Sequence, residues 1–225
     1  YTFWSTTNSV LISADVIWTG AGGDASWNTA ANWDIGIVPL AISAATINQG
    51  STITAVSDGV DKSLQVNAAA PVALDFTGHT LVSPTVNVGT KTPSRLFMKG
   101  NFVVDSLFRI GDASASGSIV ELQNGTALNV AALQIGYSSE SNTLSVLSGA
   151  SVNATNEVLV LTSSGKCRNR IYVGTGGVFT AQAGIRVDDN INWVIIDGGI
   201  VTNKGDYYNG NRKSSTTGVG ATLDI

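Results

Sequence analysis

Short runs of alternating apolar and polar residues fill most of the chain. Leu128-Asn-Val130 and Leu133-Gln-Ile135 are typical, and Gly, Asn, Ser and Asp cluster between such runs. Alternation with a period of two over a few residues predicts β-strands with one buried face. No long window shows the i, i+3, i+4 spacing of an amphipathic helix. The pattern therefore predicts an all-β protein.

A repeat of about 25 residues organises these strands. Its marker is a glycine followed by an alternating apolar run, and it recurs at Gly50, Gly78, Gly100, Gly125, Gly149, Gly177 and Gly199. One apolar run precedes the glycine, and another follows it, usually about eight to ten residues later. The first repeat is irregular, because its last run, Leu64-Gln-Val66, comes later. Each repeat is thus expected to hold three short strands.

A unit of three short strands cannot bury its own apolar face, but a stack of such units can. We therefore predict a parallel β-solenoid with three strands per coil. Ile, Val and Leu are expected inside and Ser, Thr and Asn outside, with Asn129 and Asn153 stacked in one column. A β-sandwich is the alternative fold, but sandwich strands do not keep a register of 25 residues.

Four segments follow from this interpretation. Residues 45–204 form the solenoid repeats, 15–44 a Trp-rich cap, 1–14 an N-terminal extension and 205–225 a C-terminal tail. The ends of a solenoid are unpaired strand edges, which either are covered or pair with another chain. The two terminal segments are therefore predicted either to join subunits head to tail or to cap their own rod. Their candidate assembly residues are Phe3, Trp4, Val10, Leu11, Ile12, Leu223 and Ile225.

The segment that precedes the repeats has an unusual density of tryptophan and glycine. It reads Trp-Thr-Gly at 18–20, Gly-Asp-Ala-Ser-Trp at 23–27, Asn-Trp at 32–33 and Gly-Ile-Val-Pro at 36–39. This pattern resembles the start of bacterial exported β-strand repeat proteins, of the autotransporter-passenger and PEP-CTERM-like kinds. The resemblance implies a surface location and a β-solenoid fold.

Two roles are open for Trp18, Trp27 and Trp33. Their apolar rings and indole N–H groups suit a cap on the end of the solenoid. Their flat faces would also suit stacking on a sugar, which makes them candidate glycan contacts.

Charge and cysteine content exclude several classes of protein. Only 12% of residues are charged, the net charge is −4 and there is a single cysteine, Cys167. Such a chain lacks the basic footprint of a nucleic-acid-binding protein and cannot form an internal disulfide. No run of about 20 apolar residues predicts a membrane span. The composition favours a secreted or cell-surface protein of a bacterium. Its predicted partner is a second copy of itself or a surface glycan.

Residues suited to catalysis are sparse. Asp188 and Asp189, with Asp197 one strand further, form the densest acidic group, and this group is typical of a turn. His79 is the only histidine and is expected in an exposed turn, and Cys167 is either a thiol in a turn or an intermolecular disulfide. We predict no catalytic, cofactor-binding or metal-binding residue. The hypotheses are, in order, a structural subunit that assembles into a fibre or layer, a carbohydrate-binding or adhesive module, and a polysaccharide lyase or hydrolase.

Overall fold

The computed structural model describes residues 14–112, 115–137, 139–161, 168–188 and 192–209. Apart from one turn of 3-10 helix at Ala30–Asn32, every regular element in these ranges is a β-strand. The strands are β1 (Val16–Ile17), β2 (Ala44–Ile47), β3 (Ser51–Thr54), β4 (Gly59–Val60), β5 (Ser63–Val66), β6 (Val72–Val82), β7 (Thr85–Val88), β8 (Arg95–Ile110), β9 (Ile119–Leu122), β10 (Ala127–Ile135), β11 (Thr143–Val146), β12 (Ser151–Ala154), β13 (Val158–Val160), β14 (Arg170–Gly174), β15 (Val178–Ala181), β16 (Gly184–Val187), β17 (Trp193–Asp197), β18 (Ile200–Asn203) and β19 (Asp206–Asn209).

The strands wind into a parallel β-solenoid with three faces. Face I holds β3, β9, β11, β14 and β17; face II holds β4, β12, β15 and β18; face III holds β1, β2, β5, β7, β13, β16 and β19. The longer strands β6, β8 and β10 turn corners and contribute to more than one face. Every ladder between these strands is parallel, and about six turns of about 24 residues make up the rod. The predicted all-β solenoid is confirmed.

Inward side chains form continuous columns through the rod. The column of face I contains Ile53, Leu74, Met98, Leu122, Val146, Val173 and Ile196. Its members are buried up to Val173, and Ile196 packs against the same core. The residues between them along each strand point outward, so the two-residue alternation of the sequence becomes an inner and an outer surface. The single core is the stack of these columns.

The register of the first repeat differs from the prediction. Ser51 pairs with Val72 and Ile53 with Leu74, so the strand after Gly50 belongs to face I. The residue opposite Leu81 on face II is Gly59. The run after Gly50 therefore occupies the place predicted for the run before each glycine, which explains why residues 64–66 come late.

The ladder also extends beyond residues 45–204. On face III, β1 pairs with β2 at the N-terminal end, and β16 pairs with β19 at the C-terminal end. The Trp-rich segment thus supplies the first strand of the solenoid as well as its cap, and part of the predicted tail forms its last strand.

Gly100 marks a corner that no other residue suits. Its φ is +106°, and an added Cβ would overlap the backbone of Phe76 in the preceding coil. Only glycine adopts this conformation without strain and allows the two backbones to approach so closely. The glycine that marks this repeat is therefore a requirement of coil geometry.

A column of buried polar side chains runs along the corner between faces III and I. Its members are Ser94, Ser118, Asn142, Asn169 and Asn192. The Asn169 side-chain oxygen accepts hydrogen bonds from the backbone N–H and the side-chain amide of Asn142, both at 2.9 Å. The Asn192 oxygen accepts the backbone N–H of Asn169 at 2.9 Å, and the Asn142 oxygen accepts that of Ser118 at 2.9 Å. Each side-chain oxygen thereby accepts a backbone N–H of the turn in the coil before it. The predicted pair Asn129 and Asn153 also stacks, with 3.5 Å between Asn153 Nδ2 and Asn129 Oδ1, but on the outer surface.

Among the residues that the structure describes, one carboxyl group lies inside the solenoid. Asp61 is fully buried at the corner after β4, where the Ser83 hydroxyl donates to its Oδ1 at 2.5 Å. Its Oδ2 has no hydrogen-bond partner among the described residues. Burial raises the pKa of Asp61 to about 7, against the smaller opposite effect of the Ser83 hydrogen bond.

We expect Asn169→Leu to lower the free energy of unfolding by about 2 to 5 kcal/mol, because it leaves two buried donors of Asn142 without an acceptor. Urea unfolding followed by circular dichroism measures the loss. The control is Asn129→Leu on the outer surface, for which we expect a change within about 0.5 kcal/mol. Similar losses in both variants would contradict a special role for the buried column.

We expect Asp61 to make stability depend on pH. Its folded-state pKa lies above the ordinary 3.8, so folding favours the protonated form. The free energy of unfolding is therefore highest below about pH 4, where Asp61 is protonated in both states. It falls by about 1.4 kcal/mol per pH unit as the pH rises from about 4 through 7, and by about 4 kcal/mol in all. Unfolding free energies measured from pH 4 to 8 should lose this slope in Asp61→Asn and keep it in Asp105→Asn, whose side chain is exposed. An unchanged slope in Asp61→Asn would contradict this assignment.

Candidate functional site

The three tryptophans of the N-terminal segment lie inside the molecule. Trp18, Trp27 and Trp33 are 2%, 0% and 2% exposed. Trp33 meets Trp18 and Trp27 edge to face, with ring centroids 5.3 Å and 4.9 Å apart. Trp27 continues this contact to Phe76 of the coil above at 5.6 Å. The aromatic cluster therefore closes the N-terminal end of the core, as the cap interpretation predicts.

Burial of the same rings excludes the sugar-stacking role at these positions. The indole N–H of Trp33 donates to the carbonyl of Trp27 at 2.9 Å, and that of Trp18 donates to the hydroxyl of Ser51 at 3.0 Å. No ring of the three presents a face to solvent, so the prediction of Trp18, Trp27 and Trp33 as glycan contacts is wrong for this conformation.

The polar residues of the cap hold its loop together. Asp24 accepts hydrogen bonds from Thr29 Oγ1 at 2.5 Å, from Asn32 Nδ2 at 2.7 Å and from the Ser26 N–H at 3.0 Å. These bonds, that of Thr29 first, lower the pKa of the Asp24 carboxyl. Asn32 is buried, and its Oδ1 accepts the N–H of Gly22 at 2.8 Å. The motif Gly-Asp-Ala-Ser-Trp thus has a structural explanation in the cap.

The opposite end of the rod differs. We call the last described coil, β17, β18 and β19, the open edge, since each of its strands pairs only with the preceding coil within the described residues. The N–H groups of Ile200 and Lys204 point back to that coil. Because N–H directions alternate along a strand, those of Val201 and Asn203 point to the unpaired side.

The open edge also leaves apolar surface uncovered by described residues. Val201 and Ile196, which continue inner columns, are only partly buried. Tyr207, in the inner column of face III, is 38% exposed, and Ile200 is 60% exposed on the outer side of β18. Unpaired backbone groups and apolar side chains therefore coincide at this end.

The predicted assembly residues cannot be placed on either end. Phe3, Trp4, Val10, Leu11, Ile12, Leu223 and Ile225 lie outside the described residues. The structure does describe the open edge, which is one of the two ends to which these residues were expected to contribute.

The acidic residues considered for catalysis do not converge. Both carboxylate oxygens of Asp188 bind the guanidinium of Arg186, at 2.7 Å and 3.0 Å. Asp197 accepts a hydrogen bond from the hydroxyl of Tyr172 at 2.6 Å, and Asp189 lies outside the described residues.

The other residues considered for chemistry are also separate. His79 lies 3.8 Å from the Asp58 carboxylate, and Cys167 is outside the described residues. In the described ranges no three His, Cys, Asp or Glu side chains come together as metal ligands would. No described helix is long and apolar enough to cross a membrane.

A surface groove that the sequence did not reveal lies near the C-terminal end. It is open, has a volume of about 580 Å³ and is lined by Ser141, Arg168, Arg170 and Trp193. We call it the Arg–Trp groove. The basic character of residues 166–170 is visible in the sequence, but Trp193 joins it only because β14 and β17 are neighbours.

We expect Trp27→Ala to cost about 3 to 5 kcal/mol of unfolding free energy, because it opens a cavity in the cap. Trp193→Ala is the matched control, since Trp193 is only partly buried on the outer surface, and we expect a loss of about 1 kcal/mol there. Chemical unfolding of both variants measures the difference. A larger loss for Trp193→Ala would contradict the cap assignment.

Comparison of the chain with protein-family models, with curated proteins and with solved structures finds no match.

Proposed function

We propose that this protein is an exported structural subunit whose solenoid assembles end to end into an extracellular fibre or surface layer. The observation that carries the proposal is the open edge, where unpaired backbone groups and partly exposed core residues occur together. A parallel strand from a second copy would satisfy both at once, since it would continue the ladder and the inner columns.

The two ends of the rod support head-to-tail contact. The N-terminal end carries the aromatic cap and the two-residue strand β1, whereas the C-terminal end has three strands whose outer edges lack a partner among the described residues. Two different surfaces form a heterologous contact. Such a contact repeats without closing when the subunits share an axis, and it then produces a filament.

The distribution of charge also favours association. Natural sheets often protect their edges with lysine or with inward-pointing charges. The inward residues of the open edge include Val194, Ile196, Val201 and Tyr207, none of which is charged. The low charge of the whole chain and its single cysteine suit export, and the resemblance of the Trp-rich segment to exported repeat proteins points the same way.

We expect the purified full chain to form concentration-dependent oligomers that sediment as a series of sizes and appear as rods in negative-stain microscopy. Val201→Lys should shift this distribution towards monomer by at least tenfold in apparent dissociation constant. The reason is that a lysine in the inner column of β18 places a charge at the contact, while its aliphatic part still covers the core.

Ile200→Lys is the matched control, because it adds the same charge to the adjacent residue on the outer side of the same strand. It should assemble as the unmodified chain does. A chain that stays monomeric at every concentration tested, or equal assembly of the Val201→Lys variant and the unmodified chain, would overturn the proposal.

A further inference from the structure

We propose that the Arg–Trp groove binds an anionic saccharide, with a carboxylate or sulfate group held by Arg168 and Arg170 and a sugar ring stacked on Trp193. The described residues that line the groove are two cationic side chains, one large aromatic ring and a serine, with no carboxylate among them. The inference does not depend on end-to-end assembly, since one chain supplies all four residues.

The arginines of the groove differ from the other described arginines. Arg95, Arg109 and Arg186 each have a carboxylate partner, which is Glu121, Asp112 and Asp188, respectively. Arg168 and Arg170 have no such partner among the described residues, although the chain is acidic overall. Two guanidinium groups that line one groove, without a described carboxylate partner, form a local positive site on a negative protein. Such a site attracts an anion.

The backbone at Arg168 is strained. Its φ is +107°, in the region that favours glycine, and Arg168 occupies the same corner position as Gly117 and Ser141 in the two preceding coils. A residue other than glycine in this backbone conformation is strained, and such residues cluster at functional sites. Glycine would remove that strain here as it does at Gly117. The presence of arginine instead favours a role for its side chain.

The buried asparagine column holds this strained residue in place. Asn192 Oδ1 accepts the N–H groups of Arg168 and Asn169, at 3.3 Å and 2.9 Å. The side-chain amide of Asn169 donates to the carbonyls of Leu161 and Ser139, at 2.7 Å and 3.1 Å. The column therefore fixes the corner from which the Arg168 side chain extends.

The other two components are aligned by strand register. Arg170 pairs with Thr143 on one side and with Trp193 on the other, so the three outward side chains occupy successive rungs about 4.8 Å apart. Arg170 Nε donates to Thr143 Oγ1 at 2.9 Å, which restricts the guanidinium while leaving its terminal N–H groups free of described partners. Trp193 is half-buried on the outer surface. A cation and an aromatic ring are thus held side by side on a rigid sheet.

This combination matches a sugar acid better than other anions. A guanidinium binds carboxylate or sulfate oxygens with paired hydrogen bonds, and an indole face packs against the apolar face of a pyranose. The volume of about 580 Å³ is within the range of small-molecule sites, and the open shape allows a saccharide chain to continue beyond it. A nucleic acid would need a much larger basic surface than two arginines provide.

Isothermal titration calorimetry with the full-length chain tests the inference, using tetragalacturonate as the carboxylate probe and sulfated cellotetraose as the sulfate probe. We expect at least one of them to bind at least tenfold more tightly than neutral cellotetraose, and the affinity to fall with added salt. The stronger of the two probes identifies the anionic group.

Variants separate binding from folding. Arg168→Gly should weaken binding of the stronger probe at least tenfold while the unfolding midpoint stays equal or rises, because glycine accepts the φ of +107°. Trp193→Ala should weaken it at least fivefold, and Trp193→Phe should retain most of it. Arg95→Gln is the matched control, since Arg95 lies in the same outward column as Arg170, three coils away, and should leave binding unchanged.

Three results would overturn the inference. They are equal affinity for neutral cellotetraose, no binding of either anionic probe at millimolar concentration, and unchanged affinity in Arg168→Gly. Hexaglutamate serves as a further probe. If it binds as tightly as the saccharides, the groove recognises acidic peptide and the saccharide assignment is wrong.

Discussion

The parallel pairing of each coil with the next is the interaction on which this structure depends. It places like positions of successive repeats directly above one another, so apolar residues form inner columns and polar residues form outer ones. The same stacking brings the corner amides of Asn142, Asn169 and Asn192 into one chain of buried hydrogen bonds. A buried backbone group at a corner costs free energy unless it is satisfied, and in this fold the neighbouring coil satisfies it.

A ladder of this kind has two ends, and in this protein the two ends differ in structure. The first coil is closed by Trp18, Trp27 and Trp33, which continue the core into the N-terminal segment. The last described coil keeps the hydrogen-bonding pattern of the other coils, and no described strand pairs with its outer side. The assembly that we propose would use this same pairing, with one more coil contributed by another copy.

The sides of the rod offer a different kind of surface. Their residues are mainly small and polar, and three of the five described arginines are neutralised by a neighbouring carboxylate. The Arg–Trp groove is the place where this pattern changes and where a corner residue carries backbone strain. Because the asparagine column supports that corner from inside, the same interaction that stabilises the coil also positions Arg168.

Local pattern alone determined the strands, their three-per-coil grouping and the length of the repeat, because side-chain alternation and turn residues are properties of neighbours in sequence. The tertiary structure decided what depends on register. In the first coil it placed Gly59, and not the run after Gly50, opposite Leu81 on face II. It also buried the tryptophans considered as glycan contacts, and it selected Asn142, Asn169 and Asn192 from many asparagines in turns. The Arg–Trp groove also depends on register, since Arg170 and Trp193 are 23 residues apart in the chain and become neighbours only when β14 and β17 pair. A shift of one residue in a strand exchanges inner and outer faces, and only the packed stack of coils selects between them.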